Sequence, residues 1–437
     1  MSSYLLCSTP VHGHVTPLLA VARHLADGGH RVRFLTGARY RASVESTGAL
    51  FLPLPAEADY DDSDMNASFP ERAGLSGPAG IRFDLATIFL RPAPAQLAAI
   101  DAALAAEPVD AILLESLFLG SLPLLDRPLG QRPPVVNLGI VPLALDSVDT
   151  APFGLGIAPR PGFAGRVRNR LLSFVAQKIV FAPVQKAAEQ MMRATTGHEL
   201  ETFFMSTPAQ ADAIVQFTVP SFEYPRSDLP DTVHFVGPLA RTAPSTTPLP
   251  EWWGEVDGSR PVVHVTQGTV ANRDWNELVA PAMAGLAHDD VLVVVSTGGR
   301  EVGSLPHPLP ANVRAASYLP YDKLLPLTSV LVTNGGYGGV HYAMEHGVPL
   351  VVAGTTEDKI EVTARVAWSG VGVNLKTSTP SAEAVGSAVR EVLGRPGYRE
   401  ASARIGRDIV ASPGLAGLDA VLESLSGSAA RRPGAAR

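Results

Sequence analysis

Two ionisable side chains in the first quarter of the chain are placed for proton transfer. His14 lies in Pro10-Val11-His12-Gly13-His14-Val15-Thr16-Pro17, between a short apolar β-type run at residues 4–7 and the helical pattern LLAVARHLADGG. A neutral imidazole at the carboxyl edge of a strand can take a proton from a hydroxyl near pH 7. Gly13 leaves room beside it, and Pro17 suits a first helical turn. The alternative is that His14 merely packs in the loop; His12, on the opposite parity, reads as structural. The expected partner of His14 is Glu115, in LLES at the carboxyl end of the β-type run 111–114. A carboxylate on the imidazole Nδ1 fixes the tautomer and stabilises the imidazolium that forms. An acid inside AILLESLFLG is costly unless paired or solvated, which favours a dyad over an ordinary polar strand end.

The second constellation is VTNGGYGGVHYAMEHGVPLVVAG, residues 332–354. A buried-type strand enters Gly335-Gly336-Tyr337-Gly338-Gly339 and continues as a helix, so backbone N–H groups from Tyr337 to Val340 are expected to point at an anion held on the helix dipole. Four glycines in five residues exceed what a tight turn needs, since each adds backbone entropy to be lost on folding. The spacing is neither the dinucleotide GxGxxG nor a P-loop, and it reads as a diphosphate site.

The elements that must position these residues follow from periodicity. At 437 residues with 46% apolar content the chain can bury two cores. The first forty residues alternate strand, helix and strand, and further β-type runs at 111–114 and 135–140 complete a parallel Rossmann-type sheet in residues 1–225. Within it, a Gly/Pro-rich loop at 150–165 reads as an acceptor-side element, supported by the helical stretch 169–196. Residues 226–258 hold VGPLARTAPSTTPLP and read as a linker, with Trp252 and Trp253 as packing residues. A second β/α alternation fills 259–415, and 416–437 is expected to be a C-terminal helix and a disordered tail. Two open parallel sheets imply a ligand cleft beyond the carboxyl ends of their strands.

Charge and cysteine content narrow the class. With 35 basic and 42 acidic residues, net −7, the whole-chain balance offers no electrostatic footprint for nucleic acid or an anionic membrane surface. The single Cys7 excludes an internal disulfide. The N-terminus lacks a signal-peptide pattern, and no apolar stretch reaches the about 20 residues of a bilayer span. A cytoplasmic monomer or homodimer without an integral membrane segment is expected.

In sequence order, the GHVTP loop, VGPL at 236–239, TQGT at 266–269, YLPY at 318–321 and the Gly-rich turn leading to HGVPLVV resemble the family 1 glycosyltransferases of the GT-B fold, in the bacterial macrolide and natural-product branch. The resemblance spans nearly the whole chain and implies two Rossmann-like domains facing a central cleft. It implies inverting transfer of a hexose from a nucleoside-diphosphate sugar to a hydroxyl of a hydrophobic natural product. UDP-glucose is the favoured type of donor, and a dTDP-deoxysugar is the alternative. By this resemblance His14 matches the catalytic base and Glu115 falls where the family has an orienting aspartate. Tyr318 stands where a tryptophan stacks on the nucleotide base, with Leu319 offering backbone contacts. Gly268 and Thr269 approach the diphosphate, Asp358 holds sugar hydroxyls, and Gly13 borders the donor beside the base.

Three departures affect the donor side. Asn334 replaces a histidine before the Gly-Gly, Tyr342 stands where a glutamate grips the ribose, with His341 as another substitute, and Lys359 follows Asp358 in place of a glutamine. On the acceptor side the apolar run after Glu115 nominates Phe118, and the 153–156 loop nominates Phe153. No Asp-x-Asp cluster stands where it would hold a metal, so neither a metal nor another cofactor is expected. A nucleotide-sugar epimerase or a non-catalytic partner homologue on the same fold are the rival readings.

Overall fold

The strands are short, nearly continuous apolar runs, the signature of parallel sheets covered on both faces. The computed structural model describes residues 1–430 apart from 76, 240, 243, 270 and 271, with side chains up to 426. Strands β1 (Ser3–Cys7), β2 (Arg31–Thr36), β3 (Leu50–Pro53), β4 (Ala111–Glu115), β5 (Val135–Gly139), β6 (Ala213–Gln216) and β7 (Val233–Phe235) form a seven-stranded sheet in the order β3-β2-β1-β4-β5-β6-β7. Strands β8 (Val262–Thr266), β9 (Leu292–Ser296), β10 (Val313–Ala316), β11 (Val330–Thr333), β12 (Leu350–Val352) and β13 (Gly372–Asn374) form a second sheet in the order β10-β9-β8-β11-β12-β13. Both sheets reverse their winding between the first and fourth strands, and ligands bind at such switch points. In the first sheet the switch lies between β1 and β4, where Cys7 pairs with Leu114 and Glu115 follows. In the second it lies between β8 and β11, where Thr266 pairs with Thr333.

Helix α1 (His12–Asp27) buries Val15, Leu18, Val21, Ala22 and Leu25 on the first sheet, as the 3.6-residue period requires. It begins at His12, so His14 sits in the first turn rather than in a loop before it. Val11 provides no side-chain cap; instead Asp62 Oδ2 accepts the His12 N–H at 2.6 Å, from a segment fifty residues away. Pro17 consequently falls in the second turn, where it can donate no bond to the Gly13 carbonyl. The stretch read as one helical run, 169–196, is α2 (Phe163–Val175), a wider π turn over Ala176–Val180, and α3 (Ala182–Thr196).

Two boundaries differ from expectation. β7 lies inside 226–258, the stretch read as linker, and pairs with β6, so the first sheet runs on to Phe235. The C-terminal helix, which with a tail was read as a separate unit, returns to the first domain. After α4 (Tyr337–Glu345), α5 (Lys359–Trp368) and α6 (Pro396–Ala411), helix α7 (Leu415–Ala430) places Leu418, Val421 and Leu422 in the first sheet's core, and Asp419 pairs with His24 of α1 at 2.8 Å. Long-range burial of this kind leaves no local trace that separates it from a terminal helix. Residues 431–437, the remainder of the tail expected to be disordered, lie outside the described residues. Trp252 and Trp253 pack beside Val262, Leu292 and Val294 under the second sheet, in agreement with a packing role. Among the described residues no single helix is long and apolar enough to cross a membrane.

Buried charges hold the two domains together. Arg365 on α5 binds Glu223 of the first domain at 2.9 and 2.5 Å and Glu361 at 2.8 Å, and all three are nearly sealed from water. Glu223 also accepts the Leu143 N–H at 3.0 Å and pairs with Arg226 at 3.4 Å. Removing one member strands the others: Arg365→Ala is expected to cost about 3–5 kcal/mol, measured as a lower denaturation midpoint against wild type.

Candidate active site

At the first switch point the glutamate at the end of β4 meets the histidine of α1. His14 Nδ1 lies 2.9 Å from Glu115 Oε2, and Glu115 is 1% exposed. A carboxylate so far from water needs every lone pair engaged. Oε1 accepts from the Thr9 hydroxyl at 2.6 Å and the Thr9 N–H at 3.2 Å, and Oε2 accepts from the Leu117 N–H at 2.6 Å. With Nδ1–H given to Glu115, the lone pair of the neutral imidazole is on Nε2.

Burial alone pushes the His14 imidazole down. The Glu115 carboxylate outweighs this by charge and hydrogen bond, and Asp358 and Glu357 of the second domain add to it, so the net shift is upward. Burial likewise pushes Glu115 up, but the charge of His14 and the hydrogen bonds from His14, Thr9 and Leu117 bring it below the usual carboxylate range. The Asp358 carboxyl is raised, chiefly by burial and against the pull of Lys359 and His14. His14 and Asp358 thus each bias the protonation of the other across the two domains.

On the second domain, β11 leads through Asn334 into Gly335, whose φ of 86° is left-handed and where a Cβ would meet the Thr363 side chain at 2.6 Å. A Cβ at Gly336 would touch only the Asn334 side chain, at 3.9 Å, and one at Gly339 meets nothing within 4 Å, so space lies open against the start of α4. The Val340 N–H was expected to face the anion, but it donates to the Gly336 carbonyl at 3.1 Å as the helix closes its first turn. The amides of Tyr337, Gly338 and Gly339 precede that first closed bond and are the ones a ligand can use. Asn334 donates from Nδ2 to the Gln267 carbonyl at 2.6 Å, tying the loop after β11 to the loop after β8 and leaving one amide hydrogen for a phosphate. Thr269 is exposed beside Gly268, whose carbonyl a Cβ on Gly298 would meet at 2.1 Å.

Tyr318 is 56% exposed and its ring lies against Gly299, where a Cβ would strike its hydroxyl at 2.4 Å. It presents the open aromatic face that stacking on a base needs. Leu319 is packed under the sheet with Val262 and Leu324, so its side chain belongs to the core.

Several expected donor contacts are otherwise engaged. The Tyr337 ring is buried against Phe222, His341 and the first domain, its hydroxyl 3.5 Å from Gln216 Nε2. His341 bonds Thr218 Oγ1 and the Tyr337 carbonyl, both at 2.8 Å, and burial pushes its imidazole down to about 4. It joins the domains and does not reach a ribose. Tyr342 packs edge-on to Tyr321 at 5.6 Å, which leaves its hydroxyl as the only group it could offer a ribose. Lys359 pairs with Glu357, whose left-handed backbone, φ 55°, turns the chain just before Asp358. The ammonium is drawn to that neighbour, while its charge still acts on Asp358.

The acceptor side changes most. Phe118 was expected to meet the acceptor, but it is fully buried among Leu5, Leu97 and Leu114 and belongs to the core. The apolar run after Glu115 was read as lining the cleft, but it turns inward after the strand ends and fills the core instead. Phe153 is partly exposed in a loop that the second domain holds: Glu361 Oε1 accepts the N–H groups of Gly154 and Gly156 at 2.8 and 2.9 Å. Two residues escaped the sequence reading. Phe89 stacks on His14 with centroids 5.8 Å apart, from a π turn over Asp84–Leu90, a distortion frequent at functional sites. Tyr60 carries a buried hydroxyl without a hydrogen-bond partner among the described residues, and burial followed by the charge of Glu115 raises it. Neither lies in a patterned segment, so no periodic signal could have found them.

Residues 280–425 match the family described as Erythromycin biosynthesis protein CIII-like, C-terminal domain. The chain is 41% identical to the 4'-demethylrebeccamycin synthase of Lentzea aerocolonigenes over 92% of this chain and 94% of that protein. It is 36% identical to UDP-glycosyltransferase 2 of Phaeomoniella chlamydospora over 94% of this chain and 93% of that protein. Among solved structures the calicheamicin glycosyltransferase superposes with a TM-score of 0.73 at 22% identity, covering 99% of this chain and all of that one. The chain belongs to the family 1 glycosyltransferases of the GT-B fold, in the natural-product branch, and is an enzyme of that class.

If Glu115 sets the His14 pKa, Glu115→Gln removes the dominant upward influence. A base works only when neutral, so wild-type kcat/KM falls as pH drops through the raised value. In the variant that acid limb is expected to move to lower pH while the plateau falls by roughly 10²-fold or more, as read from a full pH–rate profile.

Proposed function

We propose that this glycosyltransferase moves a hexose from a nucleoside-diphosphate sugar to a hydroxyl of a hydrophobic small molecule, with inversion in one displacement. The observation that carries the reading is the His14–Glu115 pair at one switch point, within electrostatic reach of Asp358 at the other. The acceptor O–H gives its proton to His14 Nε2 as the oxygen bonds to the anomeric carbon. The bond from that carbon to the diphosphate breaks on the opposite face, and the diphosphate leaves with the electron pair. Glu115 stabilises the imidazolium, and the open amides at the start of α4, with Thr269, receive the charge that develops on the diphosphate. Gly13 and Gly268 border the donor, Tyr318 stacks on its base with Leu319 beside it, Asp358 accepts from sugar hydroxyls, and Tyr342 offers one phenol where a carboxylate would make two bonds.

A UDP-sugar is favoured over a dTDP-sugar because relatives at 36% and 37% identity are named UDP-glycosyltransferase and UDP-glucosyltransferase. Phe89, stacked on the base, and the loop carrying Phe153 supply an apolar surface for the acceptor. The helix N-terminus takes the part a metal plays in other transferases, so no metal is required in this scheme. With its single cysteine buried in β1, the chain suits a cytoplasmic location.

His14→Ala is expected to lose about 10²–10⁴-fold in kcat while calorimetry finds donor affinity unchanged; near-normal turnover would remove His14 from its role. Turnover of purified enzyme in excess EDTA should equal that without chelator, and a loss restored by Mn²⁺ would contradict the metal-free scheme.

A further inference from the structure

The net charge of −7 conceals a local reversal. Residues 150–188 contain no aspartate or glutamate but carry Arg160, Arg166, Arg168, Arg170, Lys178 and Lys186. Within this stretch α2 and the π turn after it present Phe163, Val167, Leu171, Phe174 and Ile179 to solvent. Four of them are more than half exposed by a wide margin: Phe163 84%, Leu171 62%, Ile179 61% and Phe174 57%. The spacing from 163 to 167, 171 and 174 keeps one face of the helix apolar, while Gly165, Asn169 and Ala176 on the opposite side are buried against the protein. Arg166 and Arg170 flank one side of the stripe and Arg168 the other. Arg166 reaches Asp149 at 3.1 Å and Arg168 bonds the Asn169 side chain, yet both lie along the edge, and Arg170 and Lys178 are exposed.

We propose that this face seats the enzyme on an anionic lipid bilayer. A helix with an apolar stripe between basic flanks lies in the plane of a membrane interface, its hydrophobic residues among the acyl chains and its cations at the headgroups. Charge decides the occupant: a symmetric contact between two copies would set the same cations against each other, whereas anionic headgroups neutralise them. Position gives the face a use. Helix α2 follows directly from the loop whose Gly154 and Gly156 amides are held by Glu361, on the helix that Asp358 precedes. A hydrophobic acceptor dissolved in the bilayer would reach the cleft beside this loop without crossing bulk water. That last step rests on the hydrophobic acceptor proposed above; binding to the bilayer does not.

The test is sedimentation of the full chain with phosphatidylcholine vesicles, with and without phosphatidylglycerol. The expected result is binding that requires phosphatidylglycerol and weakens with salt. It should fall about tenfold or more in Arg170→Glu/Lys178→Glu and in Val167→Ser/Leu171→Ser/Phe174→Ser, with melting temperature and turnover of a water-soluble acceptor as in wild type. Because sedimentation needs neither donor nor acceptor, it is read independently of the reaction. Absence of vesicle binding, or equal binding by the variants, overturns the proposal. So does a wild-type dimer that the triple serine variant converts to monomer, which assigns the face to a second copy.

Discussion

The site is organised by the cost of burying one carboxylate. Glu115 ends a central strand with almost no contact with water, and an ion there persists only if each lone pair is satisfied. Thr9 supplies two hydrogen bonds from the loop after β1, the Leu117 amide supplies a third, and His14 supplies the fourth. These demands fix the β1 loop, the start of α1 and the end of β4 relative to one another. They also fix the imidazole, with Nδ1 turned inward and Nε2 left toward the cleft.

The same logic joins the domains. Glu223, Arg365 and Glu361 form a buried chain of charge, and its outer carboxylate oxygen holds two amides of the acceptor-side loop. Asp358 begins the helix that carries Arg365, so the element expected to bind the sugar is held by the element that shapes the acceptor side. Thr218 with His341 and Gln216 with Tyr337 add neutral contacts along the same boundary. The donor and acceptor halves therefore meet through satisfied polar groups set beside an apolar cluster in which Val219 and Phe222 pack against Tyr337, Val340 and Ile405.

Much of this was legible from residues alone. Short continuous apolar runs alternating with helical stretches gave two parallel sheets, and the position of His14 and Glu115 at strand ends anticipated their contact, because carboxyl ends of neighbouring parallel strands share one edge. What failed depended on distant partners. The cap of α1 comes from Asp62, the last strand of the first sheet pairs inside an apparent linker, and α7 returns to a core built four hundred residues earlier. His341 was read as a ribose contact because a local motif does not reveal that Thr218 already engages it. The basic apolar face of α2 escaped because whole-chain charge averages over the surface that a partner meets.

The central claim is that Glu115 holds His14 as the Nδ1–H tautomer with a raised pKa, leaving Nε2 as the base. Nitrogen-15 NMR of histidine-labelled protein, with His14→Gln used to assign the signal, measures both properties across pH. The account predicts a protonated Nδ1 and a bare Nε2 in the neutral form, titrating above the ordinary value of about 6.5. A neutral form protonated on Nε2, or a pKa at or below that value, would contradict it.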